Sequence, residues 1–120
     1  QIVSNLNHEV MKLDFANNRI SNMDRKILSA IMDPEARLEY LNLENNLISD
    51  KAAEILTRIA VTSKHLKYLN LRKNLLTKKS AEAISELLVR CGSLEELYIG
   101  IVKINLIVEP NQLGRWSLYL

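Results

Sequence analysis

The sequence has 120 residues, which by length is one domain. Hydrophobic residues make up 48%, enough for a globular core and too many for a disordered chain. A formal net charge of +2 gives no global case for a nucleic-acid or membrane partner, and one cysteine, Cys91, excludes a disulfide within the chain and suits a reducing compartment.

No run of about 18 apolar residues reads as a membrane span, and the start does not look like a secretion signal. The chain opens on Gln1 rather than Met, which points to a piece of something longer. Residues 1–9 read as the end of an earlier repeat or as an N-terminal cap. His8 lies there without a second metal ligand and reads as a surface or capping residue.

From residue 10 onward one pattern returns at a fixed period of 28 positions, the signature of a repeat architecture. Copy one covers residues 10–37, with Val10, Leu13, Phe15, Asn18 and Ile20 in the framework positions. Its strand is expected at about residues 12–15. Ser21 or Asn22 would cap a helix whose apolar face is Met23, Ile27, Leu28 and Ile31. Pro34 would end that helix, since the residue before a proline is pushed out of the helical region. Copy two covers residues 38–65, with Leu38, Leu41, Leu43, Asn46 and Ile48 in the framework. Ser49 or Asp50 would cap its helix, with Ala52, Ile55, Leu56 and Ile59 inward.

Copy three covers residues 66–93, with Leu66, Leu69, Leu71, Asn74 and Leu76. Thr77 is the expected cap, Ala81, Ile84, Leu87 and Leu88 the inner face, and Gly92 the C-terminal stop. Cys91, near that end, reads as a small buried or half-buried apolar residue rather than a reactive thiol. A partial copy four covers residues 94–108, with Leu94, Leu97, Ile99 and Ile104 in place but Val102 where asparagine is expected. Residues 97–108 are almost wholly apolar and β-branched, and no helical pattern follows. Residues 109–120 read as a C-terminal cap or tail, in which an extra strand or loop covers the last repeat. The alternative is that the domain continues beyond them.

Leucines at positions 4 and 6 of each copy alternate with polar residues, as a half-buried strand requires. Strands separated by a whole repeat must lie parallel, and one strand with one helix cannot bury its apolar faces without stacking on neighbours. Asparagine at position 9 has an oxygen and an amide to satisfy backbone groups where the strand turns away. Asn18, Asn46 and Asn74 are therefore expected to form a structural ladder inside the turns.

The pattern L-x-x-L-x-L-x-x-N-x-L resembles that of leucine-rich repeat proteins, and the repeat length and helical second half resemble the ribonuclease-inhibitor type. The resemblance covers roughly residues 10–104. It implies an α/β leucine-rich repeat solenoid, a short horseshoe with parallel strands on the concave side and helices on the convex side. Repeats of this type also occur in GTPase-activating proteins for a small nuclear-transport GTPase, in innate-immune receptors and in ciliary or cytoskeletal complexes. Members are mostly intracellular, which implies an intracellular, cytoplasmic location here, with cytoskeletal or ciliary association among the settings.

In such a solenoid the outward strand positions form one surface. Position 3 gives Lys12, Tyr40, Tyr68 and Glu96. Position 5 gives Asp14, Asn42, Asn70 and Tyr98. Position 7 gives Ala16, Glu44, Arg72 and Gly100. Tyrosine and arginine on an exposed face are interface-anchoring types, so Tyr40, Tyr68, Asn42, Asn70, Glu44, Arg72, Glu96 and Tyr98 are the candidate partner-binding residues. Between residues 58 and 79 lie seven basic residues and no acidic one, while copy two carries Glu39, Glu44, Asp50 and Glu54. Glu39 beside Lys67 and Glu44 beside Arg72 are expected to pair across strands rather than to mark a site for an acidic partner.

No aromatic residues interleave with the basic ones in a nucleic-acid-binding pattern. No glycine-rich phosphate loop appears, His8 and His65 fall on different copies, and the adjacent Glu95 and Glu96 point to opposite faces of a strand. The expectation is therefore a non-enzymatic interaction or scaffold module, without catalytic residues, cofactor or metal, that binds a protein partner and is part of a larger protein or assembly. A regulatory module of GTPase-activating type and an architectural spacer that docks through its apolar C-terminal end are the alternatives.

Overall fold

A computed structural model of the chain describes residues 11–21, 26, 29–30 and 36–100, together with the backbone of the strands at 102–109 and 112–119. His8, the inward face of the first helix (Met23, Ile27, Leu28, Ile31) and Pro34 lie outside the described residues. Three-residue strands open the repeats: β1 (Lys12–Asp14), β2 (Tyr40–Asn42) and β3 (Tyr68–Asn70). A fourth, β4 (Glu96–Ile99), follows. They run parallel in one sheet with the repeat itself as register: Lys12 beside Tyr40, Tyr40 beside Tyr68, and Tyr68 beside Glu96.

Between the strands lie α1 (Asp50–Ala60) and α2 (Ala81–Arg90). The core is the layer between sheet and helices. Leu41, Leu69 and Leu97 stand in register on successive strands with no exposure, and Leu43, Leu71, Leu56 and Leu87 close around them. Each such leucine contributes about 1.5–3 kcal/mol by leaving water.

Ser49 caps α1, its Oγ accepting from the Ala52 N–H at 3.4 Å. The buried stripe is Ala52, Ala53, Leu56, Thr57 and Ala60. Ile55 and Ile59, expected inward, are only partly buried. Small residues at the centre of the stripe let the helix approach the sheet closely and leave the isoleucines at its flanks. Thr77 caps a 3-10 turn (Lys78–Ser80) rather than α2 itself, accepting from the Lys79 N–H at 3.2 Å. That turn has a tighter period than an α-helix and shifts the phase. Ala81 is exposed as a result, against expectation, while Ile84 and Leu87 are buried. The helix leaves its regular path at Cys91 (φ −82, ψ 96). Gly92 follows without adopting a left-handed conformation, so it is not a left-handed C-terminal stop. Cys91 is buried, with Sγ 3.4 Å from the Ala60 carbonyl.

After each strand the chain turns through a left-handed residue at position 8: Asn17 (φ 63), Asn45 (φ 56) and Lys73 (φ 56). Asparagine tolerates this region better than most residues. The asparagine one position later holds the turn. Asn46 Oδ1 accepts from the N–H groups of Asn18 (3.0 Å) and Ile20 (2.9 Å) in the preceding repeat. Its Nδ2 donates to the carbonyls of Phe15, Leu43 and Glu44. Asn74 repeats the arrangement one repeat on, accepting from the Ile48 N–H and donating to the carbonyls of Leu43, Leu71 and Arg72. Asn18 donates to the carbonyls of Phe15 and Ala16. The asparagines thus bond the backbone of their own turn, and Asn46 and Asn74 also that of the turn before.

The repeat register ends at Ile99. Gly100 takes φ 56, and the chain reverses into β5 (Val102–Glu109), antiparallel to β4, with Leu97 opposite Ile104 and Tyr98 opposite Lys103. A two-residue hairpin needs positive φ at its first loop residue, which glycine adopts without strain. Val102 and Ile104 therefore do not continue the fourth repeat. β6 (Gln112–Tyr119) pairs antiparallel with β5 and is the last strand of a six-stranded sheet in sequence order.

Candidate protein-interaction face

The outward strand positions bring three tyrosines together. Tyr40 and Tyr68 stack with ring centroids 4.2 Å apart and planes 9° from parallel. Tyr98 stands at position 5 but reaches the Tyr68 ring on the neighbouring strand, at 5.2 Å and 46°. A cation closes each end. Lys12 Nζ lies 4.4 Å from the Tyr40 centroid, and Arg72 Cζ lies 4.7 Å from the Tyr98 centroid. Each ring pair is worth about 0.5–1.5 kcal/mol beyond area burial and each cation–ring contact about 0.5–1 kcal/mol where exposed. The rings are half-buried, so each keeps a face or edge on the surface. Burial pushes the Tyr68 phenol up to about 12. The Asn70 amide opposes the rise, and a hydrogen bond to Tyr40 and the neighbouring phenols add to it.

The position-5 side chains are largely committed to the backbone. Asp14, Asn42 and Asn70 each accept, through Oδ1, from the N–H two residues on, at 2.9–3.0 Å. Asn70 is buried at 3% exposure, so it is not an open contact residue on the face. Its Nδ2 donates to Glu44 Oε1 at 2.9 Å and to the Tyr68 hydroxyl at 3.2 Å. Asn42 is half-buried, and its Nδ2 has no hydrogen-bond partner among the described residues. Glu96 is half-buried beside Tyr68 in the register.

Expected cross-strand pairing forms at one of the two places. Lys67 Nζ reaches Glu39 at 3.5 Å. Glu44 and Arg72, side by side at position 7, do not pair. Glu44 turns to Asn70, and Arg72 lies over Tyr98 with its Nε buried and without a hydrogen-bond partner. Elsewhere the basic run is partly answered within its own helix, as in Arg58 with Glu54 at 2.6 Å. Lys12, which sequence reasoning placed in the row but not among the binding residues, anchors the end of the aromatic row. Its place beside Tyr40 at position 3 was the signal that could have identified it.

Asp50 ties repeat to repeat. Its carboxylate accepts from the Thr77 N–H (2.9 Å), the Thr77 hydroxyl (2.6 Å) and the Ser80 hydroxyl (2.5 Å). These bonds, Ser80 foremost, hold its pKa below the usual carboxylate value. Among the described residues no group of three or more His, Cys, Asp or Glu could hold a metal ion, and no helix is long and apolar enough to cross a membrane.

Two leucine-rich repeat family models match the chain, one over residues 37–59 and one over residues 62–85. Comparison with curated proteins gives no match. Among solved structures, "Leiomodin-1 Actin-Binding Site 2 (ABS2)" is similar with a TM-score of 0.66 and 22% identity, over 82% of this chain and 58% of that one. The chain therefore spans less than two thirds of that structure, and at this identity the likeness concerns the fold alone. The repeat matches, the sheet with its helices and the shared fold lead to one conclusion: the chain folds as an α/β leucine-rich repeat solenoid.

Proposed function

We propose that the chain is a non-enzymatic protein-interaction module, part of a larger intracellular protein or assembly, that holds a protein partner through its concave strand face. The observation that carries this reading is the row formed by Lys12, Tyr40, Tyr68, Tyr98 and Arg72 on that face. Stacked rings are large, already ordered and amphipathic, so little side-chain entropy is lost when a partner covers them. Asn42, Glu44 and Glu96 offer polar groups beside the row, and Asn70 braces it from below. The similar leiomodin-1 structure is described as an actin-binding site, which makes actin the first partner to offer.

The test is co-sedimentation with filamentous actin and affinity capture from the source cell. Both compare the wild-type chain with a Tyr40→Ala, Tyr68→Ala, Arg72→Ala variant of matched circular dichroism and melting. A partner bound by the wild type and lost by the variant supports the reading. The same partner retained by both moves the site to the helices or the C-terminal strands. A second reading, docking as an architectural element through the C-terminal end, draws on β6, whose outer edge is unpaired among the described residues. Such an edge is a template for another strand. It predicts self-association of the isolated chain, and a monomer at high concentration on sizing counts against it.

A further inference from the structure

Arg72 is left over from the packing of the strand face. Opposite charges at neighbouring strand positions ordinarily pair, yet Asn70 holds the Glu44 carboxylate at 2.9 Å and Arg72 forms no ion pair among the described residues. The guanidinium lies over the Tyr98 ring, its Nε is buried, and no acceptor meets it. A buried donor without a partner costs stability, and a charge desolvated on one side strengthens any hydrogen bond it later makes. The side chain as a whole is half-buried, and only Nε is a covered nitrogen without a partner, so the terminal nitrogens reach the surface. The fork is thus held over the Tyr98 ring, charged and with its terminal nitrogens at the surface.

We infer that Arg72 receives a carboxylate from the partner: an acidic, otherwise apolar segment laid across the strands sets one Asp or Glu on the guanidinium. The carboxylate takes two parallel bonds from the fork, including Nε after a small turn of the side chain. This inference rests on the strand-face reading and names the chemistry of what that face holds. Lys12, at the far end of the aromatic row, takes a second carboxylate. Lys12 stands on β1, and the Arg72 guanidinium, though its backbone follows β3, lies over the Tyr98 ring of β4, so the span is up to three strand spacings, about 14 Å. An extended chain covers that in about four residues. The segment therefore carries two acidic residues separated by three apolar ones that lie on the tyrosines. A phosphate backbone fits less well, because Asp14, Glu44 and Glu96 stand on the same face as the two cations and would oppose a continuous polyanion.

The probe is fluorescein-labelled Glu-Leu-Leu-Leu-Glu-amide, with its Gln-Leu-Leu-Leu-Gln counterpart and a short labelled poly-dT strand. Anisotropy titrations use the full chain, Arg72→Gln, Arg72→Lys, and a Tyr40→Ala, Tyr68→Ala variant. The Glu peptide is expected to bind about tenfold tighter than the Gln peptide, in line with a charge-assisted bidentate pair. Arg72→Gln should abolish that preference, and Arg72→Lys, a point charge without the fork, should restore only part of it. The inference is overturned by equal binding of the two peptides, by a preference that survives Arg72→Gln, by no binding of the Glu peptide, or by tighter binding of poly-dT. Equal binding of both peptides that still requires Tyr40 and Tyr68 removes the carboxylate role and leaves the strand-face reading intact. Peptide binding indifferent to the tyrosines removes that reading as well.

Discussion

Replacing Asn46 with alanine tests what holds the turns of the solenoid. Its side chain is 3% exposed and makes five hydrogen bonds, two accepted and three donated, across two repeats. Alanine leaves all five backbone groups without that partner. Asn18 is exposed and Ile20 half-buried, so water can reach some of these groups, while the Leu43 carbonyl lies in the buried part. With two or three groups left unsatisfied, at about 1–3 kcal/mol each and taken near the lower end, the loss is about 2–4 kcal/mol. Against a total stability of about 5–15 kcal/mol this is a large share. Asn18→Ala removes two donated bonds at an exposed site and should cost only about 0.5–1 kcal/mol. Asn46→Asp keeps both accepted bonds but loses the three donated ones, and should fall near the alanine variant. Urea unfolding followed by far-ultraviolet circular dichroism gives the three values. Asn46→Ala costing no more than Asn18→Ala would refute the reasoning.

Leu69, fully buried between Leu41 and Leu97, should cost about 2–5 kcal/mol on replacement with alanine, read from the same urea transitions. Tyr68, with its phenol at about 12, is favoured neutral by the fold. Its contribution is full below pH 10 and is lost as pH rises through 12. An alkaline absorbance titration should show one late tyrosine step that Tyr68→Phe removes. Asp50 has a lowered pKa, so its contribution is present above the unfolded value of 3.8 and is lost as pH falls below it through the folded value. Asp50→Asn should flatten the fall of melting temperature in acid, and an unchanged slope would contradict the capping role.

The repeat register was legible because the 28-residue offset is a geometric fact as well as a pattern: it sets Tyr40 beside Tyr68 and Leu41 beside Leu69. What it could not convey was competition among side chains within the face. Glu44 and Arg72 are neighbours by position, yet Asn70 lies between the two choices and takes the carboxylate. Asn70 itself has an outward strand position, but the Tyr68 hydroxyl and Glu44 cover it. Tyr98 leaves its own row because the next ring, Tyr68, is within reach diagonally. The phase of α2 was hidden because a 3-10 turn precedes it and periodicity alone does not reveal a change of period. The turn into β5 had signals in Gly100, in the β-branched run after it and in Val102 where asparagine was expected, but Ile104 still fell on a framework position and masked the reversal.

The account places binding on the strand face, and crosslinking from single positions tests that placement most directly. A photo-reactive phenylalanine at Asn42 lies within the aromatic face, and one at Glu86 lies on the exposed side of α2. Both are placed in the full chain and irradiated in the cells that make it. The account predicts a protein adduct from position 42 and none from position 86. An adduct from position 86 alone would contradict it.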